Sequence, residues 1–362
     1  MSKGRTWIEL HRAAWRSNLR AVAQCAPKSA ILPMVKANAY GHGLPEALLA
    51  IKNSSIWGVG VAHGEEGLHV RQLGWKGRIA VLSTWEPGQL PELVRKNIDV
   101  VVHDFATLRQ VQNLMQKGER PCIHLKLDTG TTRIGFQVHE LPKLKRAVSG
   151  LPLVSVFSHL ATAEDAQPTR TNQQVALFQK MSGGLKTSIR HLACSAAIIR
   201  FPSSQYDLVR PGLMFYGYWP TPELQDWASK HRPGIKLQPV LHWYARLAAV
   251  KRVPAGTKVG YGSTWTAKRA TTIGIVPVGY FDGLDRRLSN QAALYLRGRK
   301  VPIAGRICMN LTMVDLGSQR ARPGDIIEIA GPHQSMADLA GKQVFLYEFL
   351  TSISPDIPRK LI

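Results

Sequence analysis

The chain is poor in cysteine, in acidic residues and in long apolar runs. Its four cysteines, Cys25, Cys122, Cys194 and Cys308, are scattered through 362 residues without a C-x-x-C pair. That pattern excludes a disulfide framework and a structural zinc site, so reduced thiols and no metal are expected. No uncharged apolar run approaches the ~18 residues of a membrane helix, and the opening MSKGRTWIEL carries charge where a signal peptide has an apolar stretch. The expectation is a cytoplasmic protein with no membrane partner. Asp and Glu number 24 against 47 Lys and Arg, giving a net charge of +23. Such a surplus raises a nucleic-acid reading, but the basic residues are spread along the chain with no concentrated stripe and no interleaved aromatics, so no specific nucleic-acid partner is expected.

What is present is a globular composition, 44% apolar and 20% charged. Single cores rarely grow beyond ~250 to 300 residues, so two domains are expected. From about residue 30, short apolar β-type runs alternate with amphipathic stretches. Strands are predicted at Ile31–Val35, Trp57–Val61, Ile79–Leu82, Ile98–Val102, Cys122–Leu127, Leu153–Phe157, His191–Ala193 and Leu208–Val209. Between them, Leu44, Ala47, Leu48 and Ile51 repeat at helical spacing, and Asp104 can cap a helix carrying Leu108, Val111 and Met115 that Gly118 ends. Eight strand-helix alternations predict an α/β fold, a closed parallel (β/α)8 TIM-like barrel over residues 11–232. After about Pro233 the rhythm changes to β-rich segments with Gly and Pro turns, and no long helical pattern returns before Met336 to Leu350. A mainly β C-terminal domain is therefore predicted over 233–362, joined by the lone N-terminal strand in residues 1–10.

The string PMVKANAYGHG, residues 33–43, places Lys36 at the C-terminal end of an apolar strand. Barrel active sites lie at that end, and a lysine leaving a hydrophobic strand has its ammonium desolvated and its pKa lowered, as Schiff-base chemistry with an aldehyde cofactor requires. Further along come LDTGTTRIGF, SHLATA, DLVRPGLMFYG, VGYGSTW, VGYFDG, GRICMN and YEFL. Together and in this order, these strings resemble the alanine racemase family of pyridoxal 5'-phosphate (PLP) enzymes over almost the whole chain.

The resemblance implies that Lys36 carries PLP, with its phosphate held by Tyr40, Ser195, Gly212, Leu213 and Tyr347. Independently, barrel phosphate sites often form after strands seven and eight, where Ser195 and Gly212 fall. Arg210 resembles the arginine facing the pyridine nitrogen; a guanidinium has no accepting lone pair and would leave that nitrogen unprotonated. An ion pair with neighbouring Asp207 is the competing reading of Arg210. Tyr261 resembles a second base opposite Lys36, linked through His159 to Arg210, since racemisation removes a proton from one face and returns it to the other. Arg133 matches the contact to the PLP phenolic oxygen and the substrate carboxylate, Met309 a backbone contact to that carboxylate from the partner chain, and Lys126 a position that is carbamylated in many members. Tyr280 and Tyr347 resemble an inner channel gate, and Glu164, Arg286 and Arg306 its outer ring.

By this resemblance the protein is a head-to-tail homodimer with shared sites, interconverting L- and D-alanine and supplying D-alanine for cell-wall peptidoglycan. The family usually has Met at Thr131, Asn at Cys194 and Asp at Asn310, so these departures bear on substrate breadth. Competing readings are a broader or serine racemase, a related PLP decarboxylase using Cys308, and a non-catalytic PLP carrier or basic binding protein. The charge of +23 has no explanation in a racemase.

Overall fold

The computed structural model describes residues 4–362; the first three residues, included in the expected N-terminal strand segment, lie outside the described residues. Strand β1 (Thr6–Leu10) is followed by β2 (Ala30–Ile31), β3 (Val59–His63), β4 (Ile79–Thr84), β5 (Val100–Val102), β6 (Ile123–Lys126), β7 (Leu153–Phe157), β8 (Ile189–His191) and β9 (Leu208–Val209). From β2 to β9 every pairing is parallel. Parallel bridges Met34↔Gly60, Ala80↔Asp99 and Cys194↔Arg210 join the pieces, and β2 pairs with β9 to close the ring. This is the (β/α)8 barrel, and it lies in a compact unit formed by Ala14–Lys36 and Ile51–Gln238.

The apolar runs form strands because both faces are covered: Val100, Val101 and Val102 are each 0% exposed. The helix Phe105–Gln116 starts where the Asp104 carboxylate accepts from the Thr107 amide at 2.7 Å, and it buries Leu108 and Val111. Met115, expected on the same buried face, is only half covered. The first strand is shorter than predicted, because Met34 and Val35 leave the ladder for bonds to two different neighbours. The seventh barrel strand, β8, begins two residues before the predicted His191, since β7 pairs with Ile189 and Arg190 despite the charge of Arg190.

The described residues through Ala13, Ala37–Ala50 and Pro239–Ile362 form the other unit. Its remaining strands are β10 (Leu241–Arg246), β11 (Ala249–Val253), β12 (Lys258–Val259), β13 (Trp265–Thr266), β14 (Thr271–Val276), β15 (Ala293–Leu296), β16 (Arg299–Pro302), β17 (Thr312–Gly317), β18 (Ile326–Ala330) and β19 (Arg359–Leu361). A six-stranded sheet runs β16-β15-β18-β10-β1-β19, and a three-stranded sheet runs β11-β14-β17. Along β10, Leu241, Trp243 and Ala245 are buried while the residues between them are half-buried, the period-two pattern of a sheet with one covered face. β1 is antiparallel to β10 and parallel to β19, so the N-terminal strand is an interior member of this sheet. The helical pattern between Met336 and Leu350 resolves into two short helices, Met336–Ala340 and Leu346–Ser352, broken at Gly341.

Candidate active site

At the C-terminal mouth of the barrel, the Met34 amide donates to Pro211 O at 2.9 Å, and the Val35 amide to Gly60 O at 2.8 Å. The Tyr216 hydroxyl donates to Met34 O at 2.9 Å. Anchored from three sides, this segment delivers Lys36 next to Val35, which is 1% exposed. Burial lowers the Lys36 pKa, the Arg133 charge lowers it further, and Glu66 acts in the opposite sense. Lys126, at the end of β6, is buried and donates to Leu82 O at 3.3 Å. Burial, followed by the Arg133 and Arg210 charges, pushes its pKa down to about 7.

Arg210 follows β9 and is buried. Its Nη1 donates to His191 Nδ1 at 2.6 Å, and its Nη2 to Ser158 O at 2.7 Å, Leu192 O at 3.1 Å and His159 Nδ1 at 3.3 Å. No carboxylate pairs with Arg210 among the described residues. Asp207, its competing partner in the sequence, instead accepts from the Arg190 amide at 2.7 Å. The Arg210 Nε–H has no acceptor among the described residues. Burial and then the Arg210 charge hold His159 and His191 well below the usual histidine range, so both rings are neutral.

The Ser195 hydroxyl accepts from the Gly212 amide at 2.9 Å and from the Met214 amide at 3.2 Å. With both bonds made to its oxygen, the hydroxyl proton is left to donate, and the Leu213 amide between the two donors has no acceptor among the described residues. Arg133 is exposed on the loop after β6. Asp128 organises that loop by accepting from the amides of Gly130 and Thr131 at 2.9 Å and of Thr132 at 3.2 Å. Thr131 adds its hydroxyl to the same carboxylate at 3.2 Å, which gives this departure from the family pattern a local partner. Cys194, half-buried, occupies the N-cap position of the short helix Ser195–Arg200 without a side-chain cap bond, and burial raises its thiol pKa. Glu164 is half-buried after β7.

Lys36, Lys126, Arg133 and Arg210 thus gather at one barrel mouth, where Glu66 and Asp128 are the carboxylates acting on the two lysines. Four basic side chains, two neutral imidazoles, a serine hydroxyl and the uncommitted Arg210 Nε–H suit a small polyanion with a ring acceptor, which is the donor set PLP requires.

In the other unit, Ala37, Asn38, Ala39 and Tyr40 all have φ between 51° and 55°, and Gly41 continues at 76°. This is one turn of left-handed helix. Asn38 Oδ1 supports it by accepting from the Leu44 amide at 2.8 Å, and a Cβ on Gly41 would overlap Leu350 O. Tyr40 is buried and Tyr347 half-buried, with ring centroids 6.2 Å apart. Tyr261, 72% exposed, lines a cavity of about 1010 Å³ together with Tyr280, Arg286, Cys308, Met309 and Asn310. The amides of Tyr280 and Phe281 donate to Cys308 O and Met309 O, both at 3.0 Å. A Cβ on Gly279 would overlap these two carbonyls, so glycine is what permits the approach. The Met309 amide has no acceptor among the described residues. Arg306 packs against Gly262, beside Tyr261.

Sequence reasoning missed His191, Ser155, His124 and Asp99, which continue the hydrogen bonding beyond Arg210. Each is a single polar residue in or beside an apolar strand, and only their shared inward face links them.

Residues 10–220 match the family "Alanine racemase, N-terminal domain", and residues 240–361 match "Alanine racemase, C-terminal domain". An alanine racemase of Carboxydothermus hydrogenoformans is 35% identical over 98% of this chain and 98% of that protein. The crystal structure of alanine racemase from D-cycloserine-producing Streptomyces lavendulae superposes with TM-score 0.93 at 33% identity, covering 100% of this chain and 98% of that one. The Bartonella henselae alanine racemase, solved with covalently bound pyridoxal phosphate, has TM-score 0.88 at 28% identity, with 99% and 100% covered. The chain belongs to the alanine racemase family.

Proposed function

We propose that this protein interconverts L- and D-alanine with PLP as cofactor, using Lys36 and Tyr261 as bases on opposite faces of the substrate. The observation that carries the reading is the cationic barrel mouth around Lys36, whose depressed pKa favours a neutral, reactive amine. Lys36 would hold PLP covalently, Ser195, the Gly212–Leu213 segment, Tyr40 and Tyr347 its phosphate, and Arg210 its ring nitrogen. When bound, PLP supplies an electron sink that acidifies the substrate α-proton.

Arg210, held by four hydrogen bonds through Nη1 and Nη2, offers its Nε–H as a donor and cannot accept a proton at pH 7. Arg133 presents a planar fork suited to a carboxylate, and the free Met309 amide is a second donor for it. Lys36 moves the α-proton on one face. On the other face, the Tyr261 hydroxyl exchanges the proton. His159, whose Nδ1 accepts from Arg210 at 3.3 Å, would donate from its other ring nitrogen toward the phenol oxygen and favour its deprotonated form. Tyr261 and Met309 come from a second copy in a head-to-tail homodimer, where Tyr280 and Tyr347 form an inner gate and Glu164, Arg286 and Arg306 an outer ring. The exposure of Tyr261 on a single chain supports this arrangement. Lys126, with its pKa near 7, has the neutral amine that carbon dioxide needs, and its carbamate would orient Arg133. The product D-alanine serves cell-wall peptidoglycan, and the site works in the cytoplasm.

The test is incubation of purified protein with L-alanine and chiral product analysis. D-alanine formation that is lost in Lys36→Ala is expected; carbon dioxide release without D-alanine would replace this reading with a decarboxylase.

A further inference from the structure

Beyond Arg210, a continuous line of hydrogen bonds crosses the barrel interior, with one polar group from each of five successive strand positions. Arg210 Nη1 meets His191 Nδ1 at 2.6 Å, and His191 Nε2 meets Ser155 Oγ at 2.8 Å. Ser155 Oγ then meets His124 Nδ1 at 2.6 Å, and His124 Nε2 meets Asp99 Oδ2 at 3.1 Å. His124, Ser155 and His191 are 0% exposed, and Asp99 and Arg210 are 3% and 5% exposed. The line starts after the C-terminal end of β9 and finishes just before the N-terminal end of β5, where Asp99 also faces Arg78 Nε at 3.5 Å. A barrel interior is ordinarily filled by branched aliphatic side chains, so a run of polar groups here needs a reason.

With both rings neutral, the chemistry of the two ends fixes every proton between them. A guanidinium can only donate, so His191 Nδ1 must be a bare acceptor, and the neutral ring carries its proton on Nε2. That proton goes to Ser155 Oγ, the Ser155 hydroxyl donates to His124 Nδ1, and His124 Nε2–H donates to the carboxylate, which can only accept. The direction is therefore uniform from Arg210 to Asp99. Reversal of the whole line would bring a His191 N–H against an Arg210 N–H. Packing locks the ring planes as well: Phe157 stacks on His191 with centroids 4.7 Å apart and planes 6° from parallel, and Trp57 meets His124 edge-on at 5.8 Å.

We infer that Asp99 is a positioning residue for Arg210, acting across the barrel through His124, Ser155 and His191 to select the histidine tautomers that hold the guanidinium in place. The inference rests on Arg210 facing the cofactor ring, as in the proposed function. A carboxylate at position 99 enforces Nε2–H on His124. An amide there could donate as well as accept and would relax the choice. An aliphatic group would leave Nε2–H buried without an acceptor and favour the reversed line.

The test is 15N NMR of histidine-labelled holoenzyme, with the His124 and His191 signals assigned by their loss in His124→Gln and His191→Gln, combined with PLP affinity and the kcat and KM for L-alanine. In the wild type, both rings should carry the proton on Nε2. Asp99→Leu should move His191 toward Nδ1–H and weaken PLP binding by about tenfold or more, the effect of losing one buried charge-assisted bond. Asp99→Asn, a near-isostere expected to fold, should show an intermediate tautomer mixture, and Asp99→Glu should restore Nε2–H. In a Ser155→Ala background, which cuts the line, changing Asp99 should no longer affect His191. A wild-type His191 protonated on Nδ1, or an unchanged His191 tautomer and PLP affinity in folded Asp99→Leu, would overturn the inference. The tautomer readout does not depend on turnover, so a wild type with the expected tautomers but no racemisation would count against the proposed function alone.

Discussion

The Ser195 hydroxyl accepts the Gly212 amide at 2.9 Å, tying the loop after β8 to the loop after β9 and leaving the serine proton free to donate. If this pair forms the phosphate cradle, Ser195→Ala removes a donor and frees two amides from their shared acceptor. PLP affinity should fall about tenfold, the loss of one hydrogen bond worth about 1 to 1.5 kcal/mol. Fluorescence titration of apoenzyme with PLP checks this, and unchanged affinity would remove Ser195 from the cradle.

Lys126 links burial to pH. Its folded pKa is pushed down to about 7 from an ordinary value of 10.5. Below pH 7 the ammonium is present in both folded and unfolded chains, so its full burial penalty is felt. Between about 7 and 10.5 the unfolded chain binds the proton and the folded one does not, so stability rises with pH, and above 10.5 the penalty is gone. In carbon-dioxide-free buffer, Lys126→Met should stabilise the protein near neutrality and flatten the rise of Tm with pH between 7 and 10. An equally steep rise in the variant would contradict the shift. With 13C-labelled carbon dioxide, a carbamate carbon signal should appear in the wild type and be absent from Lys126→Met.

The left-handed turn at Ala37–Tyr40 stores strain, about 1 kcal/mol or more for each non-glycine residue. Asn38→Ala removes the acceptor of the Leu44 amide and should lower stability by about 1 kcal/mol. Ala39→Val places a β-branched residue at φ 55° and should cost more, with PLP affinity falling alongside Tm. Ala37→Gly relaxes the strain and should leave both nearly unchanged. Differential scanning calorimetry of the three variants gives the ranking.

Much of this architecture could be read from the residues. The strands from β3 to β7 are runs such as VVV and LVSVF, whose burial on both faces leaves little choice of structure, and Asp104 and Gly118 punctuate a helix as their side-chain chemistry dictates. Lys36 was legible because one charged residue ends an apolar strand. The start of β8 was hidden because Ile189 and Arg190 are held by pairing to β7 rather than by apolar pattern. The left-handed turn was hidden because ANAY contains no glycine and, Asn38 apart, its residues normally avoid positive φ. The line from Arg210 to Asp99 was hidden because its members are 19 to 36 residues apart and meet only when the barrel closes.

The proposed sharing of sites between two copies is tested by complementation. Lys36→Ala and Tyr261→Phe should each abolish racemisation as pure proteins. Mixing them after subunit dissociation and reassociation should restore up to about a quarter of wild-type activity, because half of the copies enter mixed dimers and each mixed dimer holds one intact site of two. Chiral chromatography of the mixture reads the outcome, and inactivity after proven exchange of subunits would place both bases on one chain.

Two-base proton exchange at alanine is read from deuterium incorporation at the α-carbon in D2O, followed for each enantiomer with resolved products. The wild type should label both enantiomers while interconverting them. Tyr261→Phe should retain exchange from one enantiomer at a reduced rate without forming its mirror image. Tyr261→Phe that still interconverts L- and D-alanine at the wild-type rate, or a wild type that incorporates no deuterium into either, would contradict it.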